Sequence, residues 1–181
     1  MSAENLHVGV IGATGAVGVE LINVMFDRNF PVGELTLFAS ERSAGKTVET
    51  KFGTKTVALF SVEEAKQCDI VFLAVSGDFA KEYGPKIAEG ALVIDNSSAF
   101  RLNDDVPLIV PEINGHLAKT AKLIANPNCT TAIAAVALWP LHQAFGLKKV
   151  IVSTYQAASG SGQPGMNELR EGLAAGLAGK P

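Results

Sequence analysis

Short apolar runs that stop at glycine or polar clusters alternate along this chain with longer stretches whose apolar residues recur at helical spacing. His7-Val8-Gly9-Val10-Ile11 is the first such run, and Ala16 to Arg28 follows with Val17, Leu21, Val24 and Met25 along one stripe. The pair predicts a strand, a tight turn and a helix. Glu34 to Ala39 reads as a second strand, and Ser61-Val62-Glu63-Glu64 has the capping-box spacing that starts a helix. Ile70 to Val75 is continuously β-branched and apolar, the pattern of a strand buried on both faces. A helix over Asp78 to Glu89 and a strand over Leu92 to Asp95 continue the rhythm. This order predicts an α/β fold, a Rossmann-like doubly wound, mostly parallel sheet with right-handed crossovers and helices on both faces.

The pattern loosens after Asn96. Pro107, Pro111, Gly115 and Pro127 predict irregular connections, with Leu123-Ile124-Ala125 as one short strand among them. Thr130 to Phe145 predicts a long apolar helix that Pro140 kinks or shortens. Lys149 to Ala157 reads as another strand, ended by Ser159-Gly160-Ser161-Gly162. Met166 to Ala178 has helical character, although Gly172 and Gly176 each cost about 1 kcal/mol relative to Ala.

Composition narrows the function classes. With 181 residues, 48% of them hydrophobic and 18% charged, the chain has material for one complete core and at most a partial second domain. A net charge of −3 gives no general attraction for nucleic acid or anionic lipid, so neither is an expected partner. No apolar run reaches the roughly 18 residues of a membrane span, and Met1-Ser2-Ala3-Glu4-Asn5 has no secretory-signal pattern, so a cytoplasmic location is expected. Cys68 and Cys129 are too few for a disulfide framework or a four-thiolate metal site, and no metal is expected.

Gly12-Ala13-Thr14-Gly15-Ala16-Val17-Gly18 lies between the first strand and the first helix. Its G-x-x-G-x-x-G spacing permits a tight turn and lets a pyrophosphate approach backbone N–H groups at the helix start; it also suits ordinary turn and packing chemistry. The second strand runs into Ser40-Glu41-Arg42-Ser43-Ala44-Gly45. Ser40, Arg42 and Ser43 suit a ribose 2′-phosphate, hence NADP over NAD; Glu41 opposes it unless turned to solvent. Asn126-Pro127-Asn128-Cys129-Thr130-Thr131 puts a thiol at the mouth of the long helix, where the peptide dipoles and unpaired N–H groups favour a thiolate nucleophile. The alternative is a small buried hydrophobe, which is the reading for Cys68.

These segments, together with Asp95-Asn96-Ser97-Ser98-Ala99-Phe100-Arg101, Pro111-Glu112-Ile113-Asn114 and Ser153 to Gly160, resemble aspartate-β-semialdehyde dehydrogenases, in family order and over nearly the whole chain. The resemblance implies an NADP-binding domain over 1–128 and the incomplete beginning of a catalytic and dimerisation α+β domain over 129–181. It implies NADP-dependent interconversion of L-aspartate-4-semialdehyde plus phosphate with L-4-aspartyl phosphate, in lysine, threonine and methionine biosynthesis, by a homodimer or homotetramer. Cys129 matches the nucleophile that carries the acyl-thioester, and Gln156 the residue that positions the substrate. Arg101 matches the phosphate-binding arginine; a surface ion pair with Asp104 or Asp105 is the plainer reading. Asn128 matches a hydrogen-bonding neighbour of the nucleophile, although either amide also suits a turn. Gly12, Thr14, Gly15, Ala16, Val17, Ser40, Arg42, Ser43, Ser76, Gly77, Ser159 and Gly160 match cofactor contacts.

The family's general-base histidine and carboxylate-binding arginine lie beyond the part represented here, and His7, His116 and His142 do not stand in the histidine motif. The chain alone is therefore expected to be weakly active or inactive, and to be an N-terminal fragment or incomplete product with exposed apolar surface around Val150 to Ala157 and in the Gly-containing tail. Two rivals stand beside this reading. N-acetyl-glutamyl-phosphate reductase shares fold, cofactor and acyl-phosphate chemistry but typically has Gly at the position of Asn128. A non-catalytic NADP-binding or assembly module keeps the dinucleotide site alone.

Overall fold

The computed structural model describes residues 5–179; Met1 to Glu4, where most of the reading of the amino terminus falls, and Lys180-Pro181 lie outside them. The elements are β1 (Leu6–Ile11), α1 (Ala16–Asp27), β2 (Val32–Ala39), β3 (Thr47–Thr50), β4 (Gly53–Leu59), α2 (Val62–Ala65), β5 (Ile70–Leu73), α3 (Gly77–Ile87), β6 (Leu92–Asp95), α4 (Pro111–Asn114), β7 (Leu123–Ala125), α5 (Cys129–Phe145) and α6 (Gly162–Leu177). Short 3-10 turns occupy Gly115–Lys119 and Ala158–Ser161. Among the described residues no helix is long and apolar enough to cross a membrane.

The strands form one sheet in the order β3-β4-β2-β1-β5-β6-β7, parallel except for the β3–β4 hairpin at its edge. From β1 the chain first builds outward through β2 and β4, then returns to build through β5, β6 and β7. The direction of winding reverses between β1 and β5, which opens a crevice at the carboxyl ends of those strands.

Side chains alternate between two cores. Val8, Val10, Leu35, Leu37 and Val57 pack with Ile22 and Met25 of α1 on one face. On the other, Val71, Leu73 and Val93 pack with Ala65 of α2 and Ala80 and Ile87 of α3. Helices therefore cover both faces, as the alternation predicts. Ser61 caps α2, its hydroxyl accepting from the Glu64 N–H at 3.4 Å as the capping-box spacing requires.

Four readings of the sequence are corrected. β5 ends at Leu73, and only Val71 and Leu73 are fully buried; Ile70 and Phe72 are half-buried, because the α1 core takes from β5 only Phe72, which meets the Phe30 ring edge-on at 6.4 Å. The β3–β4 hairpin has no apolar run to announce it: Val57 is its one buried side chain, so the edge is written in Thr, Lys and Glu. Pro140 does not shorten α5, which runs on to Phe145. Lys149 to Ala157 is not a strand. It has β-forming residues but pairs with no strand among the described residues, leaving Ile151 85% and Tyr155 98% exposed.

That exposure extends through residues 129–179: α5 and α6 bury no residue completely, and Phe145 is 83% and Leu177 91% exposed. The apolar exposure expected around Val150 to Ala157 and in the Gly-containing tail is thus found, and it reaches back into α5.

Cys68 is a buried hydrophobe, 3% exposed, with its sulfur 3.6 Å from His7 Nε2. Burial, helped by the Glu34 and Asp69 carboxylates, pushes its thiol up to about 11 from an ordinary value of 9.0. The folded state thus holds this proton to higher pH than the unfolded chain does. Its contribution is complete below pH 9.0 and is lost as pH rises through about 11, to the extent of about 2–3 kcal/mol. Urea midpoints measured from pH 8 to 11 should fall more steeply for the native chain than for Cys68→Ala; parallel curves would contradict this.

Candidate active site

Five connections leave the carboxyl ends of parallel strands, and they carry most of the residues singled out from the sequence. After β1, the chain turns through Gly12, whose φ of +84° and closeness to the Ala74 carbonyl oxygen leave no room for a side chain. Thr14, Gly15, Ala16 and Val17 follow, all exposed. Gly15 is the N-cap of α1 and offers no side chain to its N–H groups, and the first turn holds no acid. An exposed, uncapped helix start beside a glycine turn at a winding reversal fits a dinucleotide pyrophosphate.

After β2, the Ser40 carbonyl accepts from the N–H groups of Ser43 and Ala44 at 2.9 and 3.0 Å, closing a compact turn. Arg42 and Glu41 are exposed on it, and neither joins an ion pair among the described residues. After β5, Ser76 caps α3 by accepting from the Phe79 N–H at 3.4 Å, with Gly77 as the first helical residue.

The connections after β6 and β7 are tied together. Arg101 donates from Nε to the Asn126 carbonyl at 2.9 Å and from Nη2 to the Asn96 carbonyl at 3.0 Å. The ion pair with Asp104 or Asp105 weighed above does not form; two carbonyls hold the guanidinium instead, and among the described residues it meets no carboxylate. Its remaining N–H groups suit a bidentate anion.

Asn126, Pro127 and Asn128 then lead into α5, where Cys129 is the first helical residue and is exposed. Asn128 Oδ1 accepts from the N–H groups of Thr130 and Thr131 at 3.0 and 3.3 Å, so two of the N–H groups taken as unpaired are capped. Its Nδ2 donates to Gln156 Oε1 at 3.3 Å, and Cys129 Sγ lies 3.8 Å from that same oxygen. Asn128 thus serves the turn, the plainer use foreseen for it, and its amide N–H goes to Gln156 and not to the sulfur. Gln156 arrives from the irregular segment after α5 and is seated by Gly160, where a side chain would collide with its amide. Ser159 and Gly160, matched to cofactor contacts, lie in the 3-10 turn behind Gln156.

Among the described residues no histidine hydrogen-bonds Cys129. His7 Nε2 bonds Thr36 Oγ1 at 2.8 Å on the β1 strand, while His142 Nδ1 accepts from the Leu147 N–H at 3.1 Å beyond α5. His116 is in the 3-10 turn Gly115–Lys119. Sequence reasoning gave no role to Asn96 and Asn126, although it quoted both within motifs; nothing in residue type alone distinguishes them from other turn asparagines.

Residues 7–121 match the family described as semialdehyde dehydrogenase, NAD binding domain. The chain belongs to the semialdehyde dehydrogenase family. Residues 138–181 match that family's dimerisation domain. The chain is 46% identical over 167 residues to the aspartate-semialdehyde dehydrogenase of Synechocystis, covering 91% of this chain and 49% of that protein. Among solved structures, aspartate semialdehyde dehydrogenase II of Vibrio cholerae, complexed with ASA, superposes with a TM-score of 0.86 at 41% identity, covering 98% of this chain and 54% of that one. The Candida albicans enzyme, solved with NADP, gives a TM-score of 0.64 at 27% identity, covering 80% and 48%. The chain thus spans about half the length of the curated relatives it matches.

Proposed function

We propose that this chain carries the dinucleotide site and the nucleophile of an aspartate-semialdehyde dehydrogenase, interconverting L-aspartate-4-semialdehyde plus phosphate with L-4-aspartyl phosphate. The observation that carries the reading is the exposed Cys129 at the start of α5, with the Asn128 and Gln156 side chains beside it.

The Cys129 sulfur adds to the aldehyde carbon, forming a C–S bond and moving the carbonyl pair onto oxygen. NADP held in the crevice would supply the hydride acceptor for oxidation of that carbon. A thioester on Cys129 results; a phosphate oxygen attacks it, the C–S bond breaks and the thiolate leaves. Gln156 orients the substrate, and half a turn of its carboxamide presents an N–H to the sulfur or the oxyanion. Asn128 holds Gln156, and Arg101 receives phosphate. Thr14 to Val17 would hold the pyrophosphate, and Ser76, Gly77, Ser159 and Gly160 would line the crevice. With no histidine bonded to Cys129 among the described residues, proton transfer lacks a catalyst worth roughly 10²–10⁴ in rate, so turnover by the chain alone is slow or absent.

The choice of NADP rests on Ser40, Ser43 and Arg42, which joins no ion pair among the described residues, a set that suits a 2′-phosphate. Arg42→Ala should weaken NADP binding about 12- to 160-fold in a fluorescence titration and leave NAD binding within twofold, since a charged hydrogen bond contributes about 1.5–3 kcal/mol. Equal losses for both would contradict it.

We assign the division between the two domains to the Asn128–Cys129 step, where α5 begins after the last strand, β7, has ended at Ala125. The exposed apolar residues of 129–179 and the dimerisation-domain match support a homo-oligomer; a light-scattering mass of one chain would contradict that. A reducing cytoplasm suits the free thiol.

A further inference from the structure

Arg101 and Cys129 leave different strands, 28 residues apart, yet a receiver of phosphate and a thioester must keep a fixed separation. A closed ring of hydrogen bonds ties the guanidinium to the turn that leads to Cys129. Arg101 Nη2 donates to the main-chain carbonyl of Asn96 at 3.0 Å; Asn96 Oδ1 accepts from Asn126 Nδ2 at 2.8 Å; the main-chain carbonyl of Asn126 accepts from Arg101 Nε at 2.9 Å.

The ring is anchored by hydrogen bonds on two strands, β5 and β6. Asn96 donates from its main-chain N and from Nδ2 to the Leu73 carbonyl that ends β5, both at 3.1 Å, and the Asn126 N–H donates to the Asp95 carbonyl of β6 at 2.8 Å. Beneath it, the fully buried Asp95 carboxylate accepts from Ser97 N at 2.9 Å and Ser97 Oγ at 2.7 Å, which sets the turn that delivers Arg101. From Asn126 only the buried Pro127, with its fixed φ, and the helix cap Asn128 intervene before Cys129. A shift of Asn126 therefore moves the sulfur and the guanidinium relative to each other.

We propose that Asn96 and Asn126 form a clasp of positioning residues that fixes the anion-receiving Arg101 at its working distance from Cys129. The clasp rests on the reading of Arg101 as the phosphate receiver. The side-chain bond between the two asparagines is its removable part, because the two carbonyls that hold Arg101 survive truncation of either side chain.

The test uses inorganic phosphate and iodoacetamide on the native chain, in which Cys129 is exposed and Cys68 buried, so the fast-labelling thiol is Cys129. Phosphate should slow its alkylation saturably, and Arg101→Ala should abolish the protection. Asn96→Ala and Asn126→Ala should each raise the phosphate concentration needed for half-protection about fivefold, the scale of one hydrogen bond. Alkylation without phosphate should stay within twofold of native, and the double variant should be no worse than the single ones, since they break one shared bond. Circular dichroism checks that each variant is folded, and Asn126→Ala, on the exposed member of the pair, stands in should Asn96→Ala fail to fold. Native half-protection in the folded variants would overturn the clasp alone, as would losses that add in the double variant. No phosphate protection in the native chain would overturn the Arg101 reading and the clasp with it.

Discussion

Cys129→Ser should abolish any reduction of NADP by aspartate semialdehyde that the chain supports, a loss of about 10⁴-fold or more where turnover is measurable. The hydroxyl that replaces the thiol is a far weaker nucleophile, and no histidine bonds position 129 to activate it. Rapid alkylation of the folded chain should vanish with it, because Cys68 is buried with its thiol pushed up to about 11. Stability should change by no more than about 0.5 kcal/mol, since position 129 is exposed and makes one long side-chain contact. The combination distinguishes a reactive group from a structural one. Labelling and turnover that survive in Cys129→Ser would remove the nucleophile from the account.

Gly12→Ala should show the opposite division, with a large cost in stability and loss of dinucleotide binding. A φ of +84° costs an L side chain about 1–2 kcal/mol, and the new methyl would press on the Ala74 carbonyl oxygen, a backbone atom just past the end of β5 whose residue is held by its N–H to the Ile11 carbonyl. Overpacking of this kind adds about 1–3 kcal/mol, for a total of about 2–5 kcal/mol out of a typical 5–15. To relieve it, β1 and β5 must separate or the turn must open, and either distorts the crevice between them. Urea unfolding followed by far-ultraviolet circular dichroism measures the first effect; the one tryptophan, Trp139, stacks on His142 in α5 and would report that helix instead of the sheet. A native midpoint and native NADP affinity in Gly12→Ala would contradict the account of this turn.

The parallel sheet was legible because its strands are written as apolar runs and its helices carry stripes, and the cap at Ser61 formed where its spacing said. Cys129 was legible for a related reason: a rigid Asn-Pro-Asn turn before an apolar helix fixes where a residue must stand. The β3–β4 hairpin escaped because an edge that buries only Val57 needs no apolar pattern. Lys149 to Ala157 failed in the opposite sense. Its residues favour an extended chain, but a strand exists only with a partner, and the described residues supply none. The Arg101 ring was invisible because it depends on carbonyl groups, which every residue has, brought together by the parallel register of β5, β6 and β7.

The central claim is that the thiol at the start of α5 shares one crevice with a dinucleotide held by the turn after β1. The direct measurement is the iodoacetamide alkylation rate of Cys129, in a Cys68→Ala background, with and without NADP at concentrations that saturate binding. The account predicts that NADP slows the rate several-fold, and that NAD at the same concentration does so less. An alkylation rate unchanged by saturating NADP would place sulfur and dinucleotide apart and contradict it.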